Sequence, residues 1–167
     1  MRFPLFAALA LALAACESGA KHDDAPPPAT APDPSASKPA HPANGPKVYF
    51  ATPKGEIAVD VEVVATEAKV ERGLMYRQYL PPDDGMLFLM DKVQEWNFWM
   101  HNTLIPLDMI FIRTDLTIAG IVENAEPQTD TLRTVGEVSQ YVVEVNGGWT
   151  AAHGVKKDQK VRFDHVR

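Results

Sequence analysis

Along the chain, apolar and polar positions fall into short alternating runs separated by turn signals. Val48-Tyr49-Phe50 reads as a short strand, and Thr52-Pro53-Lys54-Gly55 reads as a turn. Ile57, Val59, Val61 and Val63 then alternate with Ala58, Asp60 and Glu62, the pattern of a half-buried strand paired as a hairpin with the first. Thr66 offers an N-cap, and Thr66–Gly73 is expected to be a short helix with Val70 and Leu74 facing inward. Pro81-Pro82-Asp83-Asp84-Gly85 is a strong turn. Met86–Met90 is a continuous apolar run, expected to be a strand buried on both faces. Asp91–Glu95 is a polar connection, and Trp96–Met100 is expected to form a further strand. Met109–Ile112 and Ile118–Val122 flank Arg113–Thr117, which is expected to close a hairpin, Glu123–Gln140 reads as loop, and Tyr141–Val145 as a strand. Asn146 could cap a short helix through His153, stopped at Gly154, before a last strand at Lys160–Phe163. About eight short strands and two short helices predict an α+β, β-rich domain: a small, mostly antiparallel sheet or partly closed barrel, plugged or covered by the helices.

The pattern before residue 47 is different. Met1-Arg2 is followed by an apolar run, Phe3–Ala15, which is too short to span a bilayer as a helix but suits a secretory signal. It ends Leu13-Ala14-Ala15-Cys16, which resembles the bacterial lipoprotein signal. That resemblance implies cleavage before Cys16 and lipid attachment to its thiol. Glu17 follows, not the Asp associated with inner-membrane retention, so the expected destination is the outer membrane, facing the periplasm. Residues 17–46 hold eight Pro and seven Ala, too few large apolar side chains to offset the entropy of ordering, and read as a tether. In extended polyproline form it would reach at most roughly 90 Å. The expected division is therefore a signal over residues 1–15, a lipidated Cys and tether over 16–46, and one globular domain over 47–167.

Charge narrows the possible partners. The chain carries a net charge of −6. Arg2, Lys21, Lys38, Glu17, Asp23, Asp24 and Asp33 lie before the domain, which keeps 13 basic and 18 acidic residues. A nucleic-acid partner would need a basic face, so none is expected. Cys16 is the one cysteine, which leaves the domain without a disulfide, a Cys-ligated zinc or a thiol nucleophile. Ser139 is the domain's single serine and lacks a nucleophile-elbow context. There is no Gly-rich phosphate loop, and His101, His153 and His165 lack zinc-motif spacing, so no cofactor or resident metal is expected.

Candidate chemistry gathers in Trp96–Asp108, where two Trp, a Phe and a Met stand beside hydrogen-bonding side chains. Trp99 supplies a flat face, and Asn102, Thr103, Asp108 and Arg77 supply amide, hydroxyl, carboxyl and guanidinium groups. Such a platform suits a saccharide or a peptide end, and these five residues form the expected ligand site of a non-catalytic binding module. The competing structural account has Asn102-Thr103 making a side-chain-to-backbone turn while Asp108 pairs with Arg77 or Arg72. Two further functions stay open. Asp108 with Glu144 or Asp84 could hydrolyse an envelope polymer. Met75, Met86, Met90, Met100 and Met109 with His101 could bind copper(I), although Met is also a common core filler.

Three ordered blocks carry a family resemblance. They are Glu71-Arg72-Gly73-Leu74-Met75-x-Arg77, then Asp84-Gly85-Met86-Leu87-Phe88, then Phe98-Trp99-Met100-x-Asn102-Thr103-x-x-Pro106-Leu107-Asp108-Met109-x-Phe111. With Val142-Val143-Glu144-Val145-Asn146-Gly147-Gly148 and Gly154-Val155, they resemble the family called domain of unknown function 192 over roughly residues 57–163. The resemblance implies a small β-rich fold and no particular activity. The chain departs from the family pattern at His101, where Lys or Arg is usual, at Leu116, where a turn Gly is common, and at Asp158-Gln159, where Gly-Asp is usual.

Overall fold

The computed structural model describes residues 44–166. The signal, Cys16 and nearly all of the expected tether lie outside the described residues. The elements in chain order are β1 (Lys47–Thr52), β2 (Gly55–Val64), α1 (Glu67–Arg72), β3 (Asp84–Glu95), β4 (Leu107–Ile112), β5 (Ile118–Ala125), β6 (Val138–Asn146), α2 (Trp149–His153) and β7 (Val161–Asp164). The strands form one seven-stranded sheet in the order β5-β4-β6-β3-β2-β1-β7. Every pairing is antiparallel except β2 with β3, which are joined by the long connection carrying α1.

The sheet curls into a half-barrel whose two edge strands approach each other at one end. Ile118 N donates to Gln159 O at 3.0 Å, Asp158 N to Ile118 O at 2.9 Å, and Val161 N to Leu116 O at 2.8 Å. This contact protects part of both exposed edges. Arg113 ties the same seam together through Asp158, Glu137 and the Ile118 carbonyl. Leu116 and Asp158, two of the departures from the family pattern, both have positive φ, at 59° and 67°. Glycine is common at such positions because it adopts this conformation without steric cost.

Strand alternation sorts the apolar residues into two cores. Val48, Phe50, Val59, Val61, Leu87, Ile110, Ile112, Val143, Val145 and Val161 fill the inside of the curl, where Trp149 of α2 packs edge-on to Phe50 at 5.7 Å. The residues between them in β3, β4 and β6 (Met86, Phe88, Met90, Met109, Phe111 and Val142) form a second core on the outer face, closed by Leu74, Leu80 and Met100. Burial of Met86–Met90 on both faces follows from this arrangement, and β4 is buried along its whole length. At β3, Gly85 lets β6 come close: a Cβ there would lie 2.5 Å from the Glu144 carbonyl oxygen.

Several local expectations need correction. Seven strands stand among the described residues, close to the number expected; the one removed is Trp96–Met100, which joins no ladder and has the isolated Phe98–Arg133 bridge and a Met100 N to Thr129 O bond at 3.0 Å. Its alternation is real, with Met100 buried, Trp96 and Phe98 half-buried and Asn97 and Trp99 exposed, but the segment lies over the outer core and pairs with no strand. β3 continues through the polar residues to Glu95, and β6 begins at Val138, inside the expected loop. Thr66 makes no side-chain cap on α1, and Gly148, not Asn146, precedes α2. The Asn146 amide instead donates to the carbonyls of Leu80 and Pro81 at 3.1 and 3.0 Å, tying the turn before β3 to the end of β6.

Candidate functional site

A cleft of about 160 Å³ opens where the end of α1 and the residues after it face the aromatic segment across the outer core. One side is Val70–Met75, the other is Trp96–Trp99, and Phe88, Met90, Thr103 and Glu144 complete the lining. The rings are fixed by edge-to-face packing: Phe88 on Phe98 at 5.4 Å, and Phe98 on Phe111 at 5.7 Å. Gly73 ends α1 with φ at 45°, and a Cβ there would stand 3.3 Å from Phe88 and 3.8 Å from Glu144 Oε2. The glycine therefore both turns the chain and keeps the space beside the carboxyl open.

Glu144 is the unusual group. It lies in the middle of β6, 5% exposed, with Met86 and Met109 as its cross-strand neighbours. No hydrogen bond or ion pair engages its carboxyl among the described residues. Burial alone pushes that carboxyl up to about 8, because a charge there would be stripped of water with nothing to replace it. Thr103 is the other buried polar side chain of the cleft, and its hydroxyl makes only a 3.4 Å bond to the His101 carbonyl. Glu71 and Arg72 also line the cleft, and both are exposed.

Of the five residues expected to form a site, the structure brings Trp99 and Thr103 to this cleft. Trp99 is 42% exposed and lies against the His101 ring at 5.1 Å, while His101 Nδ1 sits 2.7 Å from Asp130. Arg77 is directed away and pairs with Glu62. Asn102 takes a left-handed turn conformation, φ 53°, and its amide donates to the Tyr76 hydroxyl at 2.8 Å. Asp108 stands on the inner face of β4 and is fully buried. Its Oδ1 accepts from Asn124 N at 2.7 Å and Gly148 N at 2.9 Å, and its Oδ2 accepts from Thr150 N at 2.8 Å and Thr150 Oγ1 at 2.6 Å. These bonds hold the start of α2 against the sheet. Asn102, Asp108 and Arg77 are thus each engaged by a neighbouring part of the fold and do not line this cleft. Asp108 does not pair with Arg77 or Arg72 either.

The sequence-based site omitted Glu144, Phe88 and Gly73. The available signal was a single carboxyl inside the apolar run Tyr141–Val145, whose alternation also allowed a solvent-facing reading. Only the tertiary packing, with one core against Val143 and Val145 and another against Val142, shows that both faces of the strand are covered.

Comparisons with known proteins agree with this architecture. The family model DUF192, described as "Uncharacterized ACR", matches residues 49–163. A crystal structure from Sinorhizobium meliloti 1021, provisionally named as a transcription regulator, is 34% identical with a TM-score of 0.68, covering 74% of this chain and 98% of that one. A protein of unknown function from Novosphingobium aromaticivorans DSM 12444 is 36% identical with a TM-score of 0.68, covering 76% of this chain and 94% of that one. No curated protein gives a significant match. The matched blocks, the curled sheet and two solved relatives at this level of identity together establish that the chain belongs to the DUF192 family.

Proposed function

We propose that this protein is a lipid-anchored binding module of the cell envelope. Cys16 would be the attachment point at the outer membrane, and the Pro/Ala-rich segment would hold the domain in the periplasm. The domain would bind a polar saccharide or peptide ligand in the cleft between α1 and the aromatic segment. The observation carrying this reading is the buried Glu144 carboxyl, left without a hydrogen-bond or ion-pair partner among the described residues at the lining of an aromatic cleft. Proteins normally satisfy buried polar groups, and an exception facing open space suits a partner from outside. The aromatic walls supply stacking area and Thr103 a second polar contact.

The same geometry weighs against the other two functions. A two-carboxyl hydrolase needs both groups beside one groove. Asp108 and Glu144 lie on opposite faces of the sheet, and Asp84 does not line the cleft. For copper(I), Met86, Met100 and Met109 are packed in the outer core, while His101 is exposed and held by Asp130. The acidic balance of this domain does not favour the nucleic-acid contact that the transcription-regulator name of the S. meliloti relative suggests for that protein.

The test is a titration of the full chain with a panel of saccharides and short peptides, followed by tryptophan fluorescence. A ligand of the cleft should change the emission of Trp96 and Trp99, and Trp99→Ala should weaken binding about tenfold, the order expected for one lost stacking platform. A panel without response, or binding indifferent to Trp99→Ala, would remove the proposal.

A further inference from the structure

We infer that the cleft is built for a primary ammonium group on a small, stacking body, with Glu144 as its counter-ion; this rests on the reading that the cleft binds a polar ligand. Four observations lead there. Among the described residues no basic group hydrogen-bonds or ion-pairs with the buried carboxyl: Arg72 lines the cleft without such a bond to Glu144, and Arg77 is committed to Glu62. The place of a counter-ion is therefore open. The walls are aromatic, from Phe88, Trp96, Phe98 and Trp99, and π faces attract cations. The acceptors are a carboxyl and the Thr103 hydroxyl, which suit the several N–H donors of a primary amine better than a quaternary one. The volume of about 160 Å³ limits the bound part to a small group, such as an amino sugar or the end of a peptide.

The protonation balance is explicit. Burial pushes the Glu144 carboxyl up to about 8, so at neutral pH the empty cleft holds it mainly as the acid. When the ammonium docks, the carboxyl gives its proton to solvent and the resulting carboxylate pairs with the unchanged ammonium. One proton leaves for each ligand bound. From α1 the charged groups facing the cleft are Glu71 and Arg72, both exposed; the lining residues of β3 and of the Trp96–Thr103 segment carry no charge, and β4 sets Met109 beside Glu144. Affinity for an amine should therefore rise toward tenfold per pH unit below about 8 and then level off while the amine remains protonated.

The experiment uses the full chain and matched probes: glucosamine against N-acetylglucosamine, and alanyl-phenylalanine amide against its N-acetyl form. The two amines separate a sugar source from a peptide source, and preference for either supports the proposal. Calorimetry in buffers of different ionisation heat reads proton release directly. The expected result is a preference of at least about tenfold for one free amine over its acetylated partner, with close to one proton released at pH 6.5. Glu144→Gln should abolish both the preference and the proton release. Trp99→Ala, at an exposed position, should weaken both members of each pair through lost stacking, and the amine more than its acetylated partner through the lost π face. Equal binding of amine and acetylated probe, sensitive to Trp99→Ala, would overturn the ammonium assignment and leave the cleft as a polar-ligand site. Absence of binding by every probe and by the wider saccharide and peptide panel would overturn both.

Discussion

Asp108 and Glu144 are two carboxyls on neighbouring strands, with Asp108 opposite Val145 and Met109 opposite Glu144 in register. One step along the pleat puts them on opposite faces of one sheet. Asp108 points inward and is met by four donors from Asn124, Gly148 and Thr150. Glu144 points outward and is met by none among the described residues. Both are buried, but their surroundings do opposite things. The first carboxyl serves as a structural knot for α2, whose own turn is only five residues long and too short to hold itself. The second costs the fold free energy, which makes it the stronger candidate for function.

The largest effect expected from this contrast is at Asp108. Asp108→Asn keeps the size but turns one acceptor oxygen into a donor facing other donors. It should lower the stability of the full chain by about 3–5 kcal/mol, the order for breaking a buried charged network. Urea unfolding followed by far-ultraviolet circular dichroism measures this. A loss below about 1 kcal/mol would mean that the four bonds do not hold α2 as described.

The two carboxyls were not distinguishable from the sequence, and the reason is specific. Much of the fold was legible because alternation in Ile57–Val63, the apolar run Met109–Ile112 and turn residues such as Pro81–Gly85 act locally. Trp96–Met100 alternates just as well, yet being a strand requires a free edge to pair with, and the edges of β3, β6 and β4 were already taken. The site failed for the same reason. Asp108 and Asn102 stand next to Trp99 in the chain, but a turn at Asn102 and the entry into β4 send Asp108 to the other face. Glu144 is distant in the chain and reaches the cleft only through the β6–β3 pairing, which no local pattern encodes.

A second effect, smaller than the first at neutral pH, separates the two groups by pH. A carboxyl raised to about 8 in the folded chain keeps its proton there while the unfolded chain releases it above the ordinary value of 4.5. The unfolded state then binds fewer protons between those values, so stability falls as pH rises, by up to about 1.4 kcal/mol per unit, and levels off above about 8. Below pH 4.5 the contribution is absent from the balance, since both states hold the proton. Glu144→Gln should remove this slope and leave a chain as stable as the wild type near pH 4.5 and more stable at pH 8. Unfolding curves at a series of pH values would show it. A slope that persists in the Gln variant would assign the pH dependence elsewhere and weaken the account of Glu144 as an unpaired group.

The smallest effect comes from one hydroxyl bonded to Asp108 and one that lines the cleft with Glu144, and it tests the contrast without touching either acid. Thr150 is fully buried and its Oγ1 donates to Asp108 Oδ2 at 2.6 Å. Thr150→Val keeps the branched shape and removes this bond while the Thr150 N–H still donates to the same oxygen. The expected loss is about 1–2 kcal/mol, since a buried acceptor loses one of its donors but not all. Thr103 is almost as buried, but its hydroxyl has only the 3.4 Å contact with the His101 carbonyl. Thr103→Val should therefore cost well under about 1 kcal/mol, because a bond that long contributes little. The difference between these two matched substitutions depends on how fully each face satisfies its polar groups, not on burial, which is nearly the same at both. Equal losses would mean that burial alone sets the cost, and the distinction between a satisfied inner carboxyl and an open outer one would lose its physical basis.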